Sequence, residues 1–291
     1  MPQKSLPQDE LFSSLVKGRI AADEHMRHRV EIGDMWHEET VTDILCQHAY
    51  PSVRFARFNQ HQEGKIGADW LWWWLDPSGA CFGMLVQAKT LKRKGGNWSV
   101  EFNYRGGRQM TRFMKTAEHF EVPAAYTLYC GDVNYRTELT CGSKSHSSPC
   151  ARCSRAGVSI IDAPSARRPS TAFPDTVGTW AFQFSSPLED LADPLKGINL
   201  LSSAIGPQMS QFLTAPITKA HEIAAKVFQL AMRTITLNYA GPIAAMVDSF
   251  SPYFLQGWRN EIPHYVRDAM DGKEVDQEVS ERIAGVVPLS L

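Results

Sequence analysis

Residues 67–89 read GADWLWWWLDPSGACFGMLVQAK and contain the clearest structural signal in the chain. Two runs of aromatic and aliphatic residues flank DPSG at 76–79, where proline presets one backbone angle and glycine closes a turn. This pattern predicts a β-hairpin. Side chains alternate along a strand, so Trp72 and Trp74 are expected to fill the core on one side of the sheet and Trp73 on the other.

The hairpin is expected to bring an acid together with a Gln-x-Lys pair. Gln87 and Lys89 lie two residues apart and face the same way, and a turn near 78 places Asp69 about opposite residue 87. A carboxylate, the Gln87 side-chain oxygen and the Ala88 carbonyl are hard oxygen ligands suited to Mg²⁺ or Mn²⁺. Lys89 would orient a water and offset charge in the transition state. Such a set of groups is suited to phosphodiester hydrolysis, but an Asp and a Gln-x-Lys are common by themselves, and an ordinary surface lysine at a strand end is the alternative.

Helical and extended segments alternate around this hairpin. Residues 8–50 show helical spacing in two pieces, and 53–89 are expected to form a short antiparallel meander. A short strand at 98–104, an amphipathic helix over 107–120 and a crossover strand at 122–130 should follow. The order predicts an α+β fold whose sheet is first antiparallel and then receives the crossover strand.

Changes in composition predict the domain organisation. The core is expected to span residues 1–165 and to include a Cys-rich insertion at 130–155. Residues 166–192 are interpreted as a linker, and 193–291 as a helical C-terminal region with long amphipathic stretches.

The Asp…Gln-x-Lys hairpin resembles the core of the PD-(D/E)xK nuclease superfamily, in the variant where glutamine replaces the last acidic residue, as in Mrr-like restriction endonucleases. Four segments are similar to a bacterial family of unknown function that is predicted to share this core. They are HEETVT (37–42), GADWLWW (67–73), VQAK (86–89) and GRQMTRFMKTAEHFEVPAAYTLY (107–129). The resemblance covers residues 30–165 and does not reach the C-terminal helices. It implies a restriction-endonuclease-like fold and a Mg²⁺-dependent endonuclease.

The resemblance also implies roles for further residues. In that superfamily an N-terminal helix supplies another acidic residue, and Glu38 or Glu39 matches its position. Glu38 is preferred because the family's acid is followed by an acidic, a small, an apolar and a threonine residue, which align with ETVT at 39–42. Gln109 matches a recurrent glutamine of the relatives and is expected to touch the nucleic-acid backbone. The implied catalytic set is Glu38, Asp69, Gln87 and Lys89, of which Glu38, Asp69 and Gln87 would bind the metal ion. Because Gln87 replaces a carboxylate, metal affinity should depend more on the other two.

A basic stretch follows the hairpin. Between Lys89 and Lys115 eight bases stand against one acid, Glu101, in a chain whose net charge is −1. Such charges would neutralise phosphates beside the site, although a solvated loop and helix face is the alternative. The residues predicted to contact nucleic acid are Lys92, Arg93, Lys94, Arg105, Arg108, Gln109 and Arg112. By analogy with the relatives, DNA is favoured over RNA.

Four cysteines lie close together in a polar segment that has few apolar residues of its own. Cys150 and Cys153 have the two-residue spacing of a zinc half-site, and Cys130 and Cys141 would complete a tetrahedron. His146 is an alternative to either of the latter two, and Cys130 could instead be a buried free thiol. The pattern predicts a structural zinc ion, because four protein ligands leave no open position for catalysis.

Composition limits the class of protein. With 291 residues, 43% hydrophobic and 21% charged, the chain resembles an ordinary globular protein and not a disordered one. No apolar run reaches the roughly 20 residues that span a bilayer, and no secretory signal is apparent, so we expect a cytoplasmic protein without a membrane partner. Two expectations follow from the resemblance alone: a role in bacterial anti-phage defence and a homo-oligomer formed through the C-terminal helices. The alternatives are a non-catalytic nucleic-acid-binding or scaffold protein with a degenerate core, and a zinc-dependent interaction module.

Overall fold

The computed structural model describes residues 9–58, 69–94, 96–102, 106–139, 141, 146–147, 150–166, 177–197, 212, 218–237 and 255–291. The strands of these residues form one mixed sheet with helices packed on both of its faces. The predicted α+β class is therefore confirmed. No described helix is long and apolar enough to cross a membrane.

The helices and strands follow one another along the chain. They are α1 (Glu10–Glu31), α2 (Glu38–His48), β1 (Ala56–Arg57), β2 (Asp69–Leu75), β3 (Cys81–Lys94), β4 (Asn97–Val100), α3 (Arg108–His119), β5 (Ala124–Tyr129), α4 (Val133–Glu138), α5 (Ala151–Ser154), β6 (Val158–Asp162), α6 (Val177–Phe184), β7 (Ser186–Pro187), a 3₁₀ turn (Leu188–Leu191), α7 (Lys219–Leu237), β8 (Trp258–Arg259), α8 (His264–Met270), α9 (Gln277–Ser280) and β9 (Gly285–Ser290). Residues 163–166 add one helical turn.

The central path of the sheet runs β1-β9-β2-β3-β5-β6-β7, and β4 and β8 pair with β3. Strands β2 and β3 are antiparallel, whereas β3 and β5 are parallel and connected through α3, as a crossover requires. The predicted hairpin and the predicted crossover strand both occupy the middle of this sheet.

The turn between β2 and β3 forms as its sequence indicates. Asp76 Oδ1 accepts the N–H of Ser78 at 2.9 Å, and the N–H of Gly79 donates to the Asp76 carbonyl at 2.9 Å. Gly79 has a φ of 91°, which is unfavourable for other residues. The turn fixes the register of the hairpin and sets Asp69 opposite Gln87.

Each face of the sheet has its own core. Helices α1, α2 and α7 cover one face, the α2 face, where Trp72 and Trp74 are buried. Helices α3, α6 and α8 cover the other, the α3 face, where Trp73 is buried. The predicted division of the tryptophans between the two sides is therefore correct.

The last strand corrects the interpretation of residues 193–291 as a helical region. Strand β9 lies inside the sheet, parallel to β2 and antiparallel to β1, and Val286, Val287 and Leu289 are fully buried. Strand β1 is only two residues long and pairs with β9, so the expected meander from residue 53 to 89 reduces to the β2–β3 hairpin. The region does contain helices α7, α8 and α9.

The predicted linker over 166–192 is also revised. Residues 167–176 lie outside the described part, but the remainder packs into the molecule. Phe182 lies in the core of the α3 face, and Leu188 and Leu191 lie in that of the α2 face. Strand β7 extends the sheet beside β6. Burial of these apolar side chains holds the segment in the fold, whereas a linker would stay exposed.

Candidate active site and cysteine–histidine cluster

Strand β3 changes its antiparallel neighbour at the candidate site. The pairing with β2 begins at Asp69 and Gln87, and the pairing with β4 begins at Leu91 and Val100. Neither of these two described strands pairs with residues 88–90. On the other side β5 continues alongside up to Thr90. Among the described strands, residues 88–90 therefore have β5 alone as a neighbour, whereas residues 85–87 have both β2 and β5.

The structure places three of the predicted residues on one face at this point. Gln87 and Lys89 are buried, at 3% and 8% exposure, and alternate with residues that point to the α2 face. They therefore belong to the α3 face. Asp69, which is described by its backbone only, pairs with Gln87 and so occupies a position on the same face.

Helix α3 positions a fourth group beside them. Lys89 Nζ donates to Gln109 Oε1 over 2.8 Å. Gln109 lies in the first turn of α3, which packs on the sheet through Met110 and Phe113. The resemblance implied that Gln109 touches the nucleic-acid backbone, which stays a prediction; in the structure its oxygen contacts the lysine of the candidate site.

The floor of the site is apolar and aromatic. Tyr126 of β5 lies beside Gln87 in the sheet, and its ring packs against Phe102 and Phe113 with centroid distances of 4.8 and 5.0 Å. All three rings are buried. Electrostatic interactions are stronger in such surroundings than in water, so a charge at Lys89 would act strongly on a nearby phosphate.

The structure does not bring Glu38 onto the face of Gln87 and Lys89. Glu38 is the first residue of α2, and α2 packs on the α2 face through Val41 and Leu45. One turn further on, Thr42 shares a hydrogen bond of 2.8 Å with the Tyr129 hydroxyl. Burial is the main cause of the raised pKa of Tyr129, and the Glu38 charge adds to it, which places this acid near the end of β5. The sequence match predicted that Glu38 lies on a helix, but not on which face of the sheet that helix packs.

The predicted nucleic-acid contacts are distributed over two elements. Lys92 and Arg93 are exposed on the β3–β4 hairpin, where the Arg93 guanidinium lies 5.5 Å from the ring centroid of Trp98. Arg108 and Arg112 are exposed on α3. Arg105 and the side chain of Lys94 lie outside the described residues.

A separate cluster of four potential metal ligands lies between β5 and β6 in the chain. Its members are Cys141, His146, Cys150 and Cys153, whose donor atoms all lie within 4.8 Å of one another. Cys141 Sγ lies 3.6 Å from Cys150 Sγ and 3.4 Å from His146 Nδ1, and Cys153 Sγ lies 3.8 Å from that nitrogen. A zinc tetrahedron with normal bond lengths has S–S edges of about 3.8 Å and S–N edges of about 3.5 Å. This cluster could therefore hold a metal ion such as zinc.

Cys130 is not part of this cluster, which corrects its assignment as a zinc ligand. It is fully buried at the end of β5, and its thiol donates to the Asp132 carbonyl at 3.5 Å. Burial raises its pKa to about 12, so the thiol stays protonated. His146, the alternative named from the sequence, takes its place.

Cys150 is suited to bind a metal ion as a thiolate. Its limited burial would raise its pKa, but the N–H groups of Cys153 and Arg152 and the Cys141 thiol lower it to about 6. The two N–H groups belong to the first turn of α5, which begins directly after Cys150. The backbone thus stabilises the ligating form of the sulfur.

A network of ion pairs, which no motif indicated, joins the cluster to the rest of the fold. Arg136 of α4 donates to Asp23 of α1 at 3.0 Å and to the Ser154 carbonyl at 3.1 Å. Arg155 donates to Glu189 at 3.1 Å and to Asp190 at 2.7 Å. A metal ion that orders the cluster would therefore also hold α4 and α5 against α1 and the 3₁₀ turn.

Comparison with known proteins gives one match. No curated protein and no solved structure matches the sequence. Residues 12–289 match the model of a family of unknown function, DUF6615. The match includes the hairpin, the cysteine–histidine cluster and all but the last residue of β9. The chain therefore belongs to the DUF6615 family of unknown function.

Proposed function

We propose that this protein is a metal-dependent nuclease with a restriction-endonuclease-like core of the Gln-x-Lys type. The observation that carries the proposal is the meeting of Gln87, Lys89 and the Asp69 position on one face, with Lys89 bonded to Gln109. The chain order α2, β2, β3, α3, β5 is also the order of helix, hairpin, helix and strand that the resemblance implies.

The proposed roles follow from the chemistry of each group. Asp69, the Gln87 oxygen and the Ala88 carbonyl offer hard ligands for Mg²⁺ or Mn²⁺, which when bound would polarise the phosphate and acidify water. Lys89 Nζ would hold the attacking water and neutralise charge as the new oxygen–phosphorus bond forms and the leaving oxygen departs. Gln109 would keep that ammonium group in place. Glu38 starts from the α2 face, so it would bind the metal ion only if its side chain extended past the ends of the strands to the α3 face.

We propose nucleic acid as the substrate. Lys92, Arg93, Arg108 and Arg112 are exposed bases on the two elements that flank the site, where they would neutralise phosphates. The preference for DNA, the homo-oligomer formed through C-terminal helices and the role in anti-phage defence are inferred by analogy with the relatives.

The cysteine–histidine cluster is proposed to bind a structural zinc ion. Its donor separations match a tetrahedron, and its four ligands fill the coordination sphere. The proposed ion would substitute for the hydrophobic core that this polar segment lacks.

The experiment that tests the nuclease proposal uses end-labelled substrates and purified protein. Single-stranded and duplex DNA and RNA are incubated with Mg²⁺, Mn²⁺ or EDTA. Cleavage with either cation and none in EDTA is expected. Cleavage that persists in EDTA would contradict the metal-dependent mechanism.

A non-catalytic nucleic-acid-binding protein is the second candidate. The observation in its favour is the placement of α2, and with it Glu38, on the α2 face, which leaves Asp69 as the one predicted carboxylate ligand at the Gln87 position. A nuclease should bind Mn²⁺ in titration calorimetry, and Asp69→Asn should abolish that binding. A binding protein should show no such heat and should hold DNA equally well with and without added Mg²⁺ or Mn²⁺.

The Lys89–Gln109 bond makes a prediction of its own. Gln109→Ala should slow cleavage by about 10–100-fold, because Lys89 loses the group that orients it. Gln109→Glu, which keeps an oxygen acceptor, should retain more activity. The measurements are the single-turnover rate of cleavage and the DNA affinity without added Mg²⁺ or Mn²⁺. A Gln109→Ala protein that loses affinity as strongly as it loses rate would show that Gln109 contacts the nucleic acid and does not position Lys89.

A further inference from the structure

A cleft of about 640 Å³ lies between α3 and α9, next to the candidate site. Its α3 wall carries Arg108, Arg112 and Lys115, and Arg108 directly precedes Gln109, the partner of Lys89. Thr111 and Thr116 add hydroxyl groups to the lining. The cleft therefore begins beside the site and follows α3 away from it.

The three bases are spaced to follow a chain of phosphates. Positions 108, 112 and 115 are four and three residues apart, so they lie on one face of the helix. With a rise of 1.5 Å per residue, they span about 10 Å along the helix axis. All three are exposed, and α3 has no acid in its first turn.

The opposite wall has the opposite charge. Glu278 and Glu281 line the cleft from the side of α9, together with Arg282. Glu278 pairs with His119 in the last turn of α3 at 3.5 Å and with Arg282 at 3.6 Å, so it joins the two walls at the end of the cleft away from Gln109. One wall attracts a polyanion and the other repels it.

We infer that this cleft holds the sugar-phosphate backbone of a single nucleic-acid strand as it passes the site, an inference that takes the site itself from the proposed function. One backbone would pair with Arg108, Arg112 and Lys115. In a duplex, the second backbone would meet Glu278 and Glu281, which disfavour it by like-charge repulsion. The volume of the cleft lies in the range of small-ligand sites, which suits a short stretch of one strand.

The test is fluorescence anisotropy without added Mg²⁺ or Mn²⁺, where no metal-dependent cleavage is expected and no chelator removes the proposed zinc ion. The probes are a labelled single strand of about 20 nucleotides, longer than the cleft, and the duplex of the same sequence. Lys115→Glu reverses a charge at the far end of the basic wall. Lys17→Glu makes the same change on the exposed side of α1, on the other face of the sheet, and serves as the matched control.

We expect Lys115→Glu to weaken single-strand binding about fivefold or more and to reduce the slope of log affinity against log salt by about 0.7. Lys17→Glu should have no such effect, and Glu281→Gln should tighten binding because it removes a repulsive charge. Unchanged melting temperatures would show that the variants are folded. The duplex should bind more weakly than the single strand.

The outcomes separate this inference from the nuclease proposal. Single-strand binding that depends on Lys115, without cleavage in any metal, would support strand binding in the cleft and contradict the nuclease proposal. Cleavage by wild type combined with full single-strand affinity in Lys115→Glu would overturn the proposal that the cleft binds the strand. Equal affinity for the duplex, with equal sensitivity to Lys115→Glu, would overturn the preference for a single strand.

Discussion

Replacing Lys89 with alanine is expected to lower the single-turnover rate of DNA cleavage by about 10²–10³-fold. Lys89 is 8% exposed, and its ammonium group donates to Gln109 Oε1 at 2.8 Å, so it would act on the transition state in poorly solvated surroundings. Lys89→Arg should not restore the rate, because a planar guanidinium differs in shape and reach from a compact ammonium.

Lys92→Ala is the matched control on the same strand. Lys92 is exposed, and its distance of three residues from Lys89 places it on the other face of β3. Its loss should weaken DNA binding slightly and leave the rate at saturating enzyme nearly unchanged. A Lys89→Ala protein that differs from wild type only in affinity would contradict a role of Lys89 in the chemical step.

Loss of the metal ion at the cysteine–histidine cluster is expected to have the largest effect on stability. Cys153→Ser should lower the free energy of unfolding by more than about 4 kcal/mol, or Tm by about 10 °C. The loss should extend beyond the cluster, because Arg136 and Arg155 connect its helices to Asp23, Glu189 and Asp190. The measurements are zinc content and thermal unfolding, with and without a chelator.

Cys130→Ser is the control for this prediction. Cys130 lies outside the cluster, so the variant should keep one zinc ion per chain and lose only the modest stability of a buried apolar contact. Wild-type protein without zinc, or a Cys153→Ser protein with full zinc content, would contradict the assignment of the site.

The middle of the sheet was predictable because its signals are local. The DPSG turn fixes the β2–β3 register through the side chain of Asp76 and the backbone of Gly79, both within a few residues. Strand β9 was not predictable in this way. It is short, contains Pro288 and pairs with strands far away in the sequence, and Pro288 itself argues against a strand inside a sheet.

The candidate site shows the same division between local and distant information. Asp69, Gln87 and Lys89 come together through the register of one hairpin. Glu38 lies on a separate helix, α2. A motif gives the order of helices and strands along the chain but not the face of the sheet on which a helix packs.

The cysteine–histidine cluster follows the same rule. Spacing alone identified Cys150 and Cys153 as a pair, but the choice between Cys130 and His146 depends on how β5 ends in the core. Because the end of β5 is buried, the Cys130 thiol does not lie with the other potential ligands, and no sequence pattern predicts that burial.

The most direct test of the nuclease proposal is the cleavage of supercoiled plasmid by wild type and by Asp69→Asn, side by side in Mg²⁺, Mn²⁺ and EDTA. The substitution keeps the size of the side chain and removes only the carboxylate charge that the metal ion needs. We predict nicked or linear plasmid with wild type in either cation, none in EDTA, and none with Asp69→Asn. Cleavage by Asp69→Asn at the wild-type rate, or intact plasmid with wild type in every cation, would contradict a nuclease site at Asp69, Gln87 and Lys89.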